Sequence, residues 1–380
     1  MIKSVIHMKH RFFMAGVIAA TVFFAPGCNG SKEQTRETAT VNNPVPVKFG
    51  DPFVLAASDG KYYMYGTSLS DGFEAYVSED MATWEPLGQV YKGGGEDQWN
   101  VDCFWAPEVY ERDGKYYMFY SSNAKDNPGN EGENFKIGVA VADSPAGPFA
   151  DYLDRPVFNP PYPIIDANVL FEDDGRCYLY FSRCCYKHAV DSEIADKARE
   201  DGFCDEVEES WVYGVEMKPD FSGVIGEPQL LLAPPTKLDD VQAEWESRSV
   251  TNKEVNRRWT EGSYIFKEGD TYYIMYSANH YGGKYYAVGY ATSDSPLGPF
   301  VKSSSNPVLE ENVSKGGTVM GTGHNMVVTM PDSSRYCVYH GRMSSNPGER
   351  VVFFDRMEID SAGVLRVEGP TTTPQEIVVK

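Results

Sequence analysis

Positive charge and helical periodicity are what this sequence has least of. Lys and Arg number 34 against 55 Asp and Glu, a formal charge of −21 over 380 residues. A chain this acidic repels phosphate backbones, which argues against a nucleic-acid partner; its plain use is solubility. No GxGxxG follows a strand pattern, and there is no P-loop, no GxSxG and no HExxH. Dinucleotide, nucleotide-triphosphate, serine-esterase and zincin chemistries therefore have no motif to stand on. Helical signal is confined to DSEIADKARE (191–200). The longest apolar run, FFMAGVIAATVFFA (12–25), is short for a membrane span.

That run belongs to an N-terminal signal. MIKSVIHMKHR carries Lys3, Lys9 and Arg11 without an acid, and small residues precede Cys28 in APGC. The pattern resembles a bacterial lipoprotein signal over 1–28 with Cys28 lipidated, although Ala25 stands where such signals usually carry Leu. Residues 29–44 then read as a polar, Pro-containing tether. The expected location is outside the cytoplasm, with membrane contact only through the anchor.

Cysteine is also sparse once Cys28 is set aside. The remaining six, at 103, 177, 184, 185, 204 and 337, follow no zinc spacing, and none has a His partner in sequence suited to nucleophilic chemistry. Cys184 and Cys185 are adjacent, and a bridge from either to Cys204 would staple a local loop in an exported protein.

What the sequence does have is tyrosine, 25 of them, and repetition. Five stretches align: DPFVLAASDGKYYMYGTS (51–68), WAPEVYERDGKYYMFYSS (105–122), DANVLFEDDGRCYLYFSR (166–183), EGSYIFKEGDTYYIMYSA (261–278) and HNMVVTMPDSSRYCVYHGR (324–342). Each is an apolar run, a turn rich in Asp, Gly or Ser, and an aromatic strand, which is a β-hairpin signature. Looser third-strand motifs follow, closest in GVAVADSPAGPF (138–149) and VGYATSDSPLGPF (288–300). Repeat starts lie 54, 61, 95 and 63 residues apart, the length of four-stranded propeller blades. The expected fold is all-β, a five-bladed β-propeller of mostly four-stranded antiparallel blades filling 45–380 as one domain. Residues 184–211 read as a surface insertion with one short helix, and 246–259 as a further loop.

The first strand of every propeller blade lines the central channel, so equivalent repeat positions meet around one axis. The first residues of the aligned repeats are Asp51, Trp105, Asp166, Glu261 and His324. Single polar residues at strand starts commonly cap turns. Three carboxylates at one repeated position would repel one another and perturb one another's protonation, which costs stability and points to function. Trp105 serves either packing or sugar stacking. His324 serves a metal, a substrate or a hydrogen-bond network. Glu108 falls out of phase and reads as structural. Two carboxylates across a pocket suit glycoside hydrolysis, one protonating the leaving oxygen and the other activating water or attacking the sugar; a third raises the acid's pKa.

With GDP at Asp51, WAPE at 105–108, IDA at Asp166, TEG at Glu261 and GTGHN around His324, nearly all of the chain after the tether resembles glycoside hydrolase family 43. The resemblance implies an inverting enzyme in which Asp51 is the general base, Glu261 the general acid and Asp166 the residue that tunes the acid's pKa. It implies Arg342 (in YHGR) as a substrate contact, beside Trp105 and His324 from the repeat positions. It implies no required cofactor, with a structural calcium ion near the channel centre at His324 in many members. It also implies substrates bearing arabinose or xylose. The leading expectation is an exo-acting α-L-arabinofuranosidase or β-xylosidase working on pentose-containing oligo- or polysaccharides. An endo-acting α-1,5-arabinanase and a non-catalytic carbohydrate-binding propeller are the alternatives.

Overall fold

The computed structural model describes residues 37–127, 133–187 and 192–379. The signal segment, Cys28 and most of the tether lie outside them. Strands dominate, in five antiparallel units of four. The first unit runs Gly50–Ala56, Tyr62–Thr67, Gly72–Ser78 and Glu85–Lys92; the second Trp105–Arg112, Lys115–Asn123, Phe135–Ala142 and Ala150–Asp151. The third runs Ile164–Phe171, Cys177–Lys187, Glu208–Met217 and Val224–Leu232; the fourth Arg257–Glu268, Thr271–Ala278, Ala287–Ser293 and Val301–Lys302. The fifth runs Val319–Thr329, Arg335–Met343, Asn346–Ile359 and Leu365–Val367. The first strands contact one another in order around a closed ring, the fifth returning to the first. This is the expected all-β propeller arrangement.

No unit can bury its own faces alone. Along the second strand of the third unit, Cys177, Leu179 and Phe181 pack toward the second unit, whereas Tyr178 and Tyr180 pack toward the fourth. That alternation is the two-residue period of a strand buried on both faces. The DSPxGPF turns dock between units: Tyr65 Oη donates to the Pro145 carbonyl at 2.5 Å and Tyr180 Oη to that of Pro296 at 2.7 Å.

The chain enters the fold earlier than the sequence suggests. Thr38–Val41, read as tether, pairs antiparallel with Gln375–Val378. Val41 and Val45 are buried, and Asn43 exchanges hydrogen bonds with the Phe354 backbone. The polar look of 29–44 hid these few apolar anchors. The helix in the insertion is present as Glu193–Glu200, with the Ser192 hydroxyl accepting from Ala195 N–H and Ile194, Ala195 and Ala198 buried. The stretch 246–259 is less of a loop than expected. It carries the short helix Arg248–Thr251, after Ala243–Glu246, and then enters the strand at Arg257. Helices of one turn leave no periodicity to read.

One local device recurs in all five units. Pairing between first and second strands slips by one residue between Gly50 and Phe53, Trp105 and Glu108, Ile165 and Asn168, Glu261 and Tyr264, and Gly323 and Met326. Each slip is a β-bulge with one residue in the left-handed region: Asp51 (φ 54°), Ala106 (45°), Asp166 (60°), Gly262 (57°) and His324 (50°). The bulges re-aim side chains into one end of the channel.

Candidate active site

The bulges correct the phase read from the repeats. Asp51, Asp166 and His324 occupy the bulge itself, but Trp105 and Glu261 stand one residue before it. The repeats were aligned on their turns, and the turns differ. In the second and fourth units two residues separate the paired ends Arg112/Lys115 and Glu268/Thr271. In the first and third units five residues separate Ala56/Tyr62 and Phe171/Cys177. The convergence still holds: Asp51, Trp105, Asp166, Glu261 and His324 all line one cavity of about 270 Å³.

A ring of hydrogen bonds fixes the bulges to one another. Ala106 N–H donates to Thr67 Oγ1 (2.9 Å), Asp166 to Ser121 Oγ (3.0 Å), Gly262 to Ser182 Oγ (3.3 Å) and His324 to Ser277 Oγ (2.7 Å). Asp51 N–H closes the circle on His340 Nδ1 at 3.1 Å. Each bulge is thus held by the second strand of the preceding unit. The five acceptors, at 67, 121, 182, 277 and 340, each lie sixteen residues after the first residue of their repeat. The sequence carried this signal.

The hydroxyls also orient carboxylates. Thr67 Oγ1 accepts from Ala106, so its own proton turns to Asp51 Oδ2, 2.6 Å away. Arg350 Nη1 donates to both Asp51 oxygens, at 2.9 and 3.1 Å. A Cβ on Gly50 would stand 1.9 Å from Arg350 Cζ, so the glycine of GDP makes room for the guanidinium. Burial by itself would raise the Asp51 carboxyl, but the Arg350 guanidinium, foremost among its neighbours, outweighs it and holds Asp51 well below the usual carboxylate range. Burial pushes the His340 imidazole down to about 3, so it is neutral. Accepting the Asp51 amide on Nδ1 puts its proton on Nε2, which has no partner among the described residues.

The other two carboxylates are set the opposite way. Asp166 Oδ2 accepts from Ser182 Oγ at 3.1 Å and from Gly262 N–H at 3.2 Å. Glu261 Oε1 accepts from Tyr286 Oη at 3.0 Å. A Cβ on Gly323 would meet the Tyr286 ring at 2.2 Å, so that glycine lets the tyrosine reach Glu261. Burial, then the neighbouring Asp166 charge, pushes Glu261 well above the usual range; burial also raises Asp166. One cavity therefore holds an ionised carboxylate and a carboxylic acid, the separation that marks acid and base partners.

Trp259 and Tyr281 stack with centroids 6.3 Å apart at 11° on the cavity rim, with Arg257 over Trp259 and Arg350 over Tyr281. The buried Trp259 Nε1 has no acceptor among the described residues. Glu208–Ser210 pairs in parallel with Arg257–Trp259, which ties the strand after the insertion to the one that carries Trp259. Trp105 packs edge-tilted on Phe135, centroids 4.6 Å apart.

Arg342, expected as a substrate contact, is not among the lining residues. It is buried and braces the rim, Nη2 donating to the Tyr281 carbonyl at 3.1 Å; Arg350 is the cation that reaches Asp51. Arg350, Tyr286 and Tyr281 were missed because they lie outside the aligned repeats, and Trp259 because it precedes the aligned stretch of its own strand. Glu108 is buried and not among the lining residues, accepting from Tyr110 Oη and, at 2.9 Å, from Asn168 Nδ2. Burial raises it to about 8. The described residues hold no group of three or more His, Cys, Asp or Glu side chains placed to bind a metal. Asp51, the carboxylate nearest His324, is already bonded to Arg350 and Thr67, so a calcium ion there would need water for most of its six to eight oxygen ligands. These residues do not form a calcium cage.

Three carboxylates lining one propeller cavity, two of them raised and one lowered, define a glycosidase-type site. Residues 41–365 match the sequence profile described as Glycosyl hydrolases family 43, and the chain belongs to that family. The β-D-galactofuranosidase xynD of Aspergillus niger is 26% identical, over 93% of this chain and 94% of that protein. A xylosidase/arabinosidase of Bacteroides ovatus is 28% identical, over 64% of this chain and 73% of its own length. Among solved structures, a thermostable family-43 glycoside hydrolase superposes with a TM-score of 0.73 at 32% identity, covering 88% of this chain and 98% of that one.

Proposed function

We propose that this glycoside hydrolase removes terminal α-L-arabinofuranosyl or β-xylosyl units with inversion, using Glu261 as general acid and Asp51 as general base. The observation that carries it is the placement of both carboxyls in one cavity with opposite surroundings, Arg350 on Asp51, and burial with Asp166 nearby at Glu261. Glu261 protonates the glycosidic oxygen as the bond to the anomeric carbon breaks. Asp51, kept anionic by Arg350, takes a proton from the water that attacks the opposite face. Asp166 keeps Glu261 protonated through its charge and, through Gly262 N–H, fixes the backbone beside it. Tyr286 orients the acid, while Trp105, His324 and the Trp259 indole N–H contact the sugar.

Exo action is favoured by the cavity's size of about 270 Å³, just under the ~300–1,000 Å³ of common ligand pockets. An export signal over 1–28 with Cys28 lipidated would put the enzyme outside the cytoplasm on a lipid anchor, where polysaccharide fragments are met. The near full-length likeness to a galactofuranosidase favours a second reading. A β-D-galactofuranosyl ring shares the ring configuration of α-L-arabinofuranose and adds one hydroxymethyl group. Assay of nitrophenyl α-L-arabinofuranoside, β-D-xyloside and β-D-galactofuranoside, with linear arabinan, tests the substrate class, and NMR of the first-formed anomer tests inversion. Release of pentose as the inverted anomer is expected. Retention, or turnover confined to internal arabinan bonds, would overturn it.

A further inference from the structure

Cys184 and Cys185 are neighbours in sequence, and in a regular strand their side chains would point to opposite faces. Here they do not. Pairing of their strand slips between Arg183 and Tyr186, and Cys185 is left-handed at φ 57°. The bulge turns both side chains into the catalytic cavity, where they join the wall formed by Trp105, Phe135 and Ile165. A non-glycine residue at positive φ is sparsely populated and persists where the surroundings impose it. Cys184 is buried, Cys185 is partly exposed and both are free thiols. Cys204, the bridge partner considered from sequence, packs elsewhere with Ala195, Val207 and Val250.

We propose that Cys184 and Cys185 form a vicinal dithiol in the cavity wall that closes reversibly to a disulfide and, while open, captures a trivalent thiophile. The oxidant is a disulfide of a small thiol or of a protein. The Cys185 thiolate attacks one sulfur of that disulfide, forming a mixed disulfide and expelling one thiolate. Cys184 gives up its proton and attacks the Cys185 sulfur, closing the ring and expelling the second thiolate. Two protein thiols are oxidised and one external disulfide is reduced to two thiols. Consecutive Cα atoms stand about 3.8 Å apart, below the roughly 4.4–6.8 Å of ordinary disulfides, so the closed pair is strained and readily reduced. Burial, the adjacent Cys185 thiol and the Asp166 charge push the Cys184 thiol up, which leaves Cys185 as the attacking sulfur. The chemistry of the pair stands by itself; its effect on turnover rests on the glycosidase function proposed above.

Two measurements on the purified full chain test this. Trypsin releases CCYK (184–187) as one tetrapeptide. After exposure to glutathione disulfide and digestion without reductant, it is expected two hydrogens lighter than the dithiol. Recovery as two free thiols, as a doubly glutathionylated peptide or joined to the Cys103 peptide would overturn the proposal. The reduced chain is expected to retain one phenylarsine oxide per molecule and to lose hydrolytic activity, both reversed by 2,3-dimercaptopropanol. Cys185→Ser should retain none. Failure of the wild type to bind the arsenical, or binding with turnover unchanged, would also overturn it. A chain that hydrolyses no glycoside but yields the lighter tetrapeptide fails only the functional reading.

Discussion

Arg350 Nη1 lies 2.9 and 3.1 Å from the two carboxylate oxygens of Asp51. One guanidinium from the third strand of the last unit thus sets the charge of a carboxylate on the first strand of the first unit. Arg350→Met removes the principal cation holding Asp51 low. The acid limb of kcat/KM should move to higher pH, and kcat/KM should fall roughly 10²-fold. An unmoved acid limb would mean that another group keeps Asp51 ionised.

Tyr286 Oη donates to Glu261 Oε1 and thereby favours its charged form. Tyr286→Phe keeps the ring beside His340 and removes the donor. Glu261 should be pushed further up, so the alkaline limb of the pH–rate profile moves to higher pH while kcat falls. A loss of activity with both limbs in place would assign Tyr286 to sugar binding instead.

The raised acid also costs stability. A carboxyl whose folded pKa lies above its unfolded value gives stability fully present below the ordinary value of 4.5 and lost as pH rises through the folded value. Glu261→Gln is free of that loss. Its unfolding midpoint should match the parent near pH 4 and exceed it increasingly toward alkaline pH, on the order of 1–3 kcal/mol at the limit. Thermal melts across pH read this directly, and a variant less stable throughout would contradict burial as the cause.

Glu108 makes a contrast. At about 8 it is protonated at neutral pH and bonded to Tyr110 and Asn168, while Asn168 Oδ1 accepts from Ile265 N–H at 3.0 Å. Glu108→Gln should unfold in urea within ~0.5 kcal/mol of the parent at pH 7. Glu108→Leu leaves buried donors unpaired and should cost about 1–3 kcal/mol.

The sequence made the propeller legible because each unit repeats both its turn and its strand periodicity. It made five cavity residues legible because repetition converts sequence phase into spatial convergence. The one-residue offset of Trp105 and Glu261 was hidden by hairpin loops of different length, which alignment on the turn cannot detect. Thr67, Ser121, Ser182, Ser277 and His340 were visible at a fixed offset, but their hydrogen bonds run between units, where a single repeat gives no hint. Arg350 comes from the third strand of the fifth unit, whose motif had degenerated too far to align, and Tyr286 stands just before the third strand of the fourth unit, outside the motif that did align. Arg342 misled because its motif sits beside the cavity while its guanidinium turns to the Tyr281 backbone.

The most direct test of Glu261 as general acid uses Glu261→Gln on glycosides whose leaving groups differ in acidity, for whichever sugar the parent cleaves. Protonation matters for a poor leaving group and little for a good one. The account predicts a loss in kcat/KM of about 10²–10⁴-fold on alkyl or oligosaccharide leaving groups, and a far smaller loss on 2,4-dinitrophenyl glycosides. Equal losses on both would contradict it.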